Sequence, residues 1–135
     1  MNMNRFDFIK QIFLSGAAAL VAKHAVAGAQ ERRKEIYLNS LYIAGFQYYN
    51  GPELEKLLKE NDKLTLQRQA ENPHDYFAVE IFYKSQKLGY LPRTDNKIIA
   101  RMMDQGERLK AKIGSIAPDA HPFSRVKVRV YLEKG

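Results

Sequence analysis

The side chains that most often catalyse reactions are scarce in this sequence. Its 135 residues include three histidines and no cysteine, which excludes disulfides, thiolate zinc sites and cysteine nucleophiles. His24, His74 and His121 are too far apart in sequence for a paired metal site. No serine stands in a nucleophile-elbow motif, and no glycine-rich phosphate loop precedes a predicted helix. The sequence therefore predicts a binding protein rather than an enzyme, with no catalytic residue, no metal and no cofactor.

Aromatic, polar and basic residues are concentrated instead in three segments next to predicted turns. These segments cover residues 45–50, 66–75 and 88–93. The first contains the pair Tyr48 and Tyr49, and the second contains the breaker Asn72-Pro73. Each segment needs flanking strands or helices to bring it near the others, so the elements between them decide whether one site can form.

Period-two alternation predicts about six short strands. They cover residues 36–44, 63–68, 76–83, 87–91, 108–116 and 125–133. The last is the clearest, because its valine and leucine residues alternate with arginine, lysine and tyrosine. Residues 84–86 are expected to form a hairpin turn between the third and fourth strands.

Two short helices are expected, one beginning at residues 51–52 and one spanning about 94–105. Their apolar faces are formed by Leu54, Leu57 and Leu58 in the first and by Ile98, Ile99, Met102 and Met103 in the second. Gly106 suits the position after the second helix. Short strands that cannot each bury both faces usually curl into a small barrel.

The order and spacing of the three segments resemble the HIRAN domain. This module occurs at the N-terminus of helicase-like, DNA-remodelling ATPases and alone in bacterial proteins. The matching blocks are Gly45-Phe-x-Tyr-Tyr, Asn72-Pro73-x-Asp75-x-x-Ala78 and Leu88-Gly-Tyr-Leu91. The resemblance covers residues from about 36 to 133. It implies a mainly β fold, a small OB-like β-barrel of about six strands with two flanking helices.

By similarity to eukaryotic members, the resemblance implies a non-catalytic module that binds the 3′ end of single-stranded DNA. It assigns a base-contacting role to Tyr48, a 3′-hydroxyl contact to Asp75 and a phosphate contact to Arg93. The remaining candidate residues for nucleic-acid binding are Tyr49, Asn72, His74 and, in the last loop, Phe123. In such a pocket, aromatic rings stack on bases and cations contact phosphates.

Two positions depart from the DNA-binding members. His74 replaces a second stacking tyrosine, and Gln47 replaces an arginine that contacts phosphate. Structural alternatives also stay open for the candidate residues: the tyrosine pair as one core and one rim residue, Asp75 as the residue of an Asx-turn or cap, and Arg93 as a solvated side chain. The basic row of the last strand is either a solvated face or a surface that follows nucleic acid.

The first thirty residues predict a signal peptide or an N-terminal helix. Arg5 and Lys10 precede a short apolar stretch at 12–22, and small residues follow up to Ala29. Residues 31–35 are expected to be a charged linker and residues 36–135 the HIRAN-like domain. The apolar stretch is too short to span a bilayer, so we expect no stable membrane insertion after signal removal. Export to the periplasm or envelope is favoured, with a cytoplasmic location as the alternative.

The net charge favours an anionic partner. Lys and Arg total 22 against 15 Asp and Glu, a formal charge of +7, which suits nucleic acid. Two functions therefore remain: recognition of single-stranded DNA 3′ ends, or an exported or envelope protein that keeps this fold and binds a different ligand. The departures at His74 and Gln47 and the N-terminal segment favour the second. The sequence does not predict an oligomeric state.

Overall fold

The computed structural model describes residues 34–135, and the predicted signal peptide at 1–30 lies outside them. The strands in this part of the chain are β1 (Lys34–Tyr42), β2 (Lys63–Arg68), β3 (Val79–Tyr83), β4 (Gln86–Tyr90), β5 (Arg108–Ile116) and β6 (Val126–Lys134). The helices are α1 (Gly51–Leu54) and α2 (Lys97–Asp104), and 3₁₀ turns cover Phe46–Tyr48 and Pro122–Ser124. Neither helix is long and apolar enough to cross a membrane.

The six strands form one sheet in the order β1-β6-β5-β2-β3-β4. The ladders from β6 through β5, β2 and β3 to β4 are antiparallel. Strand β2 belongs to two of them, because Lys63 and Leu64 pair with β5 whereas residues 65–68 pair with β3. The sheet therefore turns at the middle of β2 and wraps around a single core.

This wrapped sheet is not closed. Within residues 34–135, its edge strands β1 and β4 share no ladder, and the chain just after β1 meets β4 through one isolated bridge. There, Ala44 and Tyr90 exchange two backbone hydrogen bonds of 2.8 and 2.9 Å. The preceding N–H of Ile43 still donates to the carbonyl of Val126 on β6, at 3.0 Å. The mainly β fold with two helices is confirmed, but the closed barrel is not, because the edges meet at one residue pair.

Apolar side chains on the inner face of the sheet form one continuous core. The alternation predicted for β6 is confirmed, since its valines and Leu132 are buried. The first and third candidate segments are anchored in the same core by Phe46 and Leu91, which are 0% and 1% exposed. Burial of one such side chain stabilises a fold by about 1.5–3 kcal/mol. The turns that carry the candidate residues therefore rest on the core.

Several element boundaries differ from the sequence predictions. β1 begins at Lys34, so the last two residues of the predicted linker 31–35 lie in the strand. β3 begins only at Val79, because residues 76–78 belong to a turn. Helix α1 is a single turn, and Leu57 after it is 61% exposed. In α2, Ile98 is 65% exposed because the helix packs through Ile99 and Ala100 instead.

We expect Gly89 to be essential for the contact between β4 and the end of β1. Its φ is +151°, and a Cβ there would overlap the carbonyl oxygen of Ala44 and lie 2.7 Å from Cγ2 of Ile43. In urea unfolding of the full chain, Gly89→Ala should lower the free energy of unfolding by about 3 kcal/mol.

Gly106→Ala is the matched control. Gly106 also has a positive φ, of +88°, but a Cβ there would meet nothing within 4 Å. Gly106→Ala should therefore lower the free energy of unfolding by about 1 kcal/mol, through the strain of a left-handed backbone alone. Equal losses for the two variants would show that the close approach at Gly89 is unimportant.

Candidate functional site

A cavity of about 310 Å³ opens where the chain after β1 meets the end of β4. Its walls come from all three segments that the sequence singled out. Six of the seven candidate residues line it, namely Tyr48, Tyr49, Asn72, His74, Asp75 and Arg93. The seventh, Phe123, does not line it, so the fold brings together the candidates of the three segments but not that of the last loop.

The first wall is a tight reversal of the chain after β1. Gly45 adopts a left-handed conformation with φ +74°, and the N–H of Tyr48 donates to its carbonyl at 2.9 Å. The reversal buries Phe46 completely and leaves Tyr48 75% exposed and Tyr49 39% exposed. The core residue of this segment is therefore Phe46, and both tyrosine rings are available at the cavity.

The second wall is a loop held by the side chain of Asn72. Its Oδ1 accepts hydrogen bonds from the N–H groups of His74 and Asp75, at 2.7 and 3.0 Å. Its Nδ2 donates to Oε1 of Gln69, at 2.9 Å. Because the amide is used at both ends, Asn72 shapes this loop. An asparagine that mimics a backbone turn in this way is common in loops.

Asp75 is fixed by two donors. Its Oδ1 accepts from the N–H of Phe77 at 3.0 Å, which is the Asx-turn considered as its structural role. Its Oδ2 accepts from Nδ2 of Asn96 at 2.8 Å, and Asn96 is 1% exposed. Each carboxylate oxygen can accept more than one hydrogen bond. The group is therefore oriented by the fold and still able to accept a bond from a ligand.

Arg68 holds the far side of the same loop. Its guanidinium donates to the carbonyl oxygens of Tyr76 at 2.8 Å and Ala78 at 3.0 Å, and it pairs with Asp104 of α2 at 3.0 Å. The planar fork of an arginine suits such a three-way contact. The loop around Asp75 is thus tied to both β2 and α2.

The third wall contributes the positive charge. Arg93 follows the core residue Leu91 and is exposed. To the rest of residues 34–135 its side chain makes no hydrogen bond or ion pair, so its guanidinium is available to an anion. His74 is also exposed at the rim.

Two further positions lie outside the cavity. Phe123 is 60% exposed, and its ring centre lies 4.7 Å from that of His121. It belongs to the 3₁₀ turn Pro122–Ser124, which contacts the turn of Tyr48. It belongs to the neighbouring surface. Gln47 has a buried Oε1 without a hydrogen-bond partner among the described residues. A neutral amide at this position supplies no positive charge, unlike the arginine of the DNA-binding members that the resemblance implies.

The basic row of β6, together with Arg125 just before the strand, is largely engaged within the fold. Arg125 donates to the carbonyl of Ala120 and pairs with Glu55 at 3.4 Å. Arg129 is hydrogen-bonded to Asn61, and the ammonium of Lys127 lies 5.2 Å from the centre of a tyrosine ring. These contacts favour a structural strand face over a surface that follows nucleic acid.

Comparison with known proteins gives the family. The family model described as the HIRAN domain matches residues 36–134. The chain belongs to the HIRAN domain family. The match includes all of the sheet except the first two residues of β1, and it confirms the resemblance seen in the sequence. No curated protein matches this chain.

Two crystal structures share the HIRAN fold of this chain. A protein from Lactobacillus plantarum is 22% identical, with a TM-score of 0.68, over 76% of this chain and 99% of that one. The HIRAN domain of human HLTF is 18% identical, with a TM-score of 0.58, over 73% of this chain and 78% of that one. At these identities the likeness shows the fold alone.

The HIRAN cavity also depends on residues that sequence reasoning missed. Tyr90 lines it, and Lys87 lies behind it with its Nζ 4.3 Å from the ring centre of Tyr49 and 4.1 Å from that of Tyr90. The same Nζ pairs with Glu80 at 3.1 Å. The motif that contains Gly89 and Tyr90 was recognised in the sequence. The alternation of β4 does not predict that Lys87 lies beside two tyrosines.

This cluster should make the stability of the domain sensitive to alkaline pH. Burial raises the pKa of Tyr49 above its ordinary value of 10.0, against the opposing effect of Lys87. Burial alone would lower the pKa of Lys87, but hydrogen bonds to Tyr90 and Glu80 outweigh it, so this pKa is raised above 10.5. Both groups hold their protons more tightly in the folded state than in the unfolded state. Their contribution to folding stability is therefore complete below pH 10 and is lost as the pH rises through the raised pKa values.

We therefore expect the free energy of unfolding to fall as pH rises above about 10. Urea titrations between pH 9 and pH 11 measure this fall. In Tyr49→Phe, which has no phenol to ionise, the decline should be shallower than in the wild type. Identical pH dependence in the two proteins would contradict a role for Tyr49 in the cluster.

Proposed function

We propose that the cavity binds the 3′-terminal nucleotide of a single DNA strand. Membership of the HIRAN family indicates a nucleic-acid-binding module. The observation that carries the finer proposal is the convergence of Tyr48, Asp75 and Arg93 on one cavity of about 310 Å³. That volume is at the lower end of the range for small-ligand pockets and suits one nucleotide. The proposed activity is binding without a chemical step.

Each of the three groups suits a different part of a strand end. The exposed ring of Tyr48 offers a stacking face, which contributes about 1–3 kcal/mol per base. Asp75 accepts a hydrogen bond from a free 3′-hydroxyl, whereas a phosphate at the same position would be repelled. Arg93 has no partner within the described chain and can contact a phosphate oxygen in a bidentate way.

The cellular location of the protein is a prediction from the sequence alone. Export rests on residues 1–30, which lie outside the described structure. The alternative function, an exported protein with a different ligand, receives no support from the fold or from the family. A cytoplasmic or exported HIRAN domain would use the same cavity.

The state of the 3′ end tests the role of Asp75. The full chain should bind an end-labelled oligonucleotide with a 3′-hydroxyl roughly tenfold more tightly than the same strand with a 3′-phosphate, because two anions would otherwise be adjacent. In Asp75→Asn this ratio should fall towards one. Fluorescence anisotropy measures both affinities, and thermal unfolding shows whether the variant is folded.

Tyr48→Ala is the matched variant. Because its ring is 75% exposed, its removal should leave stability close to that of the wild type. It should weaken binding of both oligonucleotides by roughly tenfold, through the lost stacking, and leave their ratio unchanged. If a 3′-phosphate leaves the affinity of the wild type unchanged, Asp75 does not read the hydroxyl.

Salt dependence tests Arg93. Each neutralised phosphate of a single strand contributes about 0.7 to the slope of log affinity against log salt concentration. Arg93→Ala should therefore reduce the slope by about 0.7 and weaken binding at low salt. Arg108→Ala is the control, because Arg108 is equally cationic but pairs with Glu133 on β6, away from the cavity. Equal slopes for the two variants would exclude a phosphate contact by Arg93.

A further inference from the structure

A continuous chain of side-chain hydrogen bonds connects Lys87 to the loop that carries Asp75. The Nζ of Lys87 lies 2.7 Å from Oη of Tyr90, and that Oη lies 2.9 Å from Oε1 of Gln69. The same Oε1 accepts from Nδ2 of Asn72 at 2.9 Å. Asn72 in turn holds the N–H of Asp75. The chain thus runs from β4, through the cavity wall, to the backbone N–H of Asp75.

The donors and acceptors along this chain are mutually consistent. An ammonium can only donate, so the hydroxyl of Tyr90 accepts from Lys87 and gives its own proton to Gln69. Gln69 presents its carbonyl oxygen to that hydroxyl and to the amine end of the Asn72 amide. A reversed Asn72 amide would place its amine against two backbone N–H donors. The backbone N–H groups and Gln69 thus favour the same orientation of the Asn72 amide, and Lys87 joins this network through Tyr90.

Lys87 also holds the aromatic side of the cavity. Its ammonium lies over the rings of both Tyr49 and Tyr90, which meet edge to face with centres 5.8 Å apart. A cation that contacts two aromatic rings stabilises the position of one ring relative to the other, and more strongly when the cation is partly desolvated. Lys87 itself does not line the cavity, and its charge is neutralised by Glu80 at 3.1 Å. A direct contact with a phosphate is therefore not its role.

We propose that Lys87 is a positioning residue for strand-end binding, which acts through Tyr90, Gln69 and Asn72 to hold the loop of Asp75 in its binding conformation. The proposal rests on the proposed function for the effect on DNA. The connection from Lys87 to the loop is a property of the free protein and can be measured without a ligand.

Tyr90→Phe interrupts the chain by removing one oxygen atom and keeps the ring. In the full chain, amide hydrogen exchange followed by NMR should accelerate roughly fivefold at His74 and Asp75, since one hydrogen bond that orders the loop is lost. Exchange at Val128, a core residue of β6, should stay as in the wild type. Affinity for a 3′-hydroxyl oligonucleotide should fall by a similar factor.

Substitutions of Lys87 separate positioning from a general effect of charge. Lys87→Met should reproduce both effects of Tyr90→Phe, and Lys87→Arg, which keeps a cationic donor over the rings, should restore much of each. The matched control is Lys84→Met, which removes the same charge from the same hairpin. Within residues 34–135 the ammonium of Lys84 lies 5.4 Å from the ring centre of Tyr83 and makes no ion pair. It should leave exchange at the loop unchanged.

The outcomes distinguish this proposal from the proposed function. Wild-type exchange at His74 and Asp75 in Tyr90→Phe would overturn the positioning role. Acceleration of equal size at Val128 would overturn it too, because the substitution would then lower only global stability. If the wild-type chain binds no strand end, the proposed function fails, and the exchange data still decide whether Lys87 controls the loop.

Discussion

The close approach of β4 to the chain after β1 is the contact on which the rest of the site depends. Because Gly89 has no side chain, the backbone of β4 can reach Ala44 and form the bridge between Ala44 and Tyr90. The edges of the sheet meet at this pair and do not continue as a ladder. Beside the bridge the chain reverses at Gly45, and the cavity lies in the space between this reversal and the end of β4. In a barrel closed by a continuous ladder, paired strands would occupy the space where the candidate residues lie.

The loop that forms the second wall has no regular structure, and polar side chains take the place of a ladder. Asn72 and Asp75 each accept from backbone N–H groups close in sequence, while Asn96 and Arg68 connect the loop to α2 and β2. A buried polar group is costly unless it has partners. The mutual dependence of these amides and carboxylates therefore favours one loop conformation.

Patterns that depend on neighbouring residues were predictable from sequence, and patterns that depend on strand pairing were not. The alternation of β6 and the Asn-Pro turn before Asp75 are local, and both were found. The division of β2 between two partners and the register shift of β3 against β4 between Ile81 and Phe82 arise from pairing. These decide where Lys87 and Tyr90 lie, so their contacts could not be read from the motif. Closure was overestimated for the same reason.

The distribution of charge around the cavity limits how a strand could be recognised there under the proposed function. Among the described residues that line it, Arg93 is the one permanent cation, since Lys87 behind the wall is paired with Glu80 and Gln47 turns its oxygen inward. A site that followed the phosphate backbone would need several free cations, and the basic row of β6 is occupied by internal contacts. Under the proposed function, selectivity therefore comes from the groups at the terminus itself. A fixed carboxylate beside an exposed tyrosine is suited to that, because it discriminates by hydrogen bonding and by repulsion and needs no long contact surface.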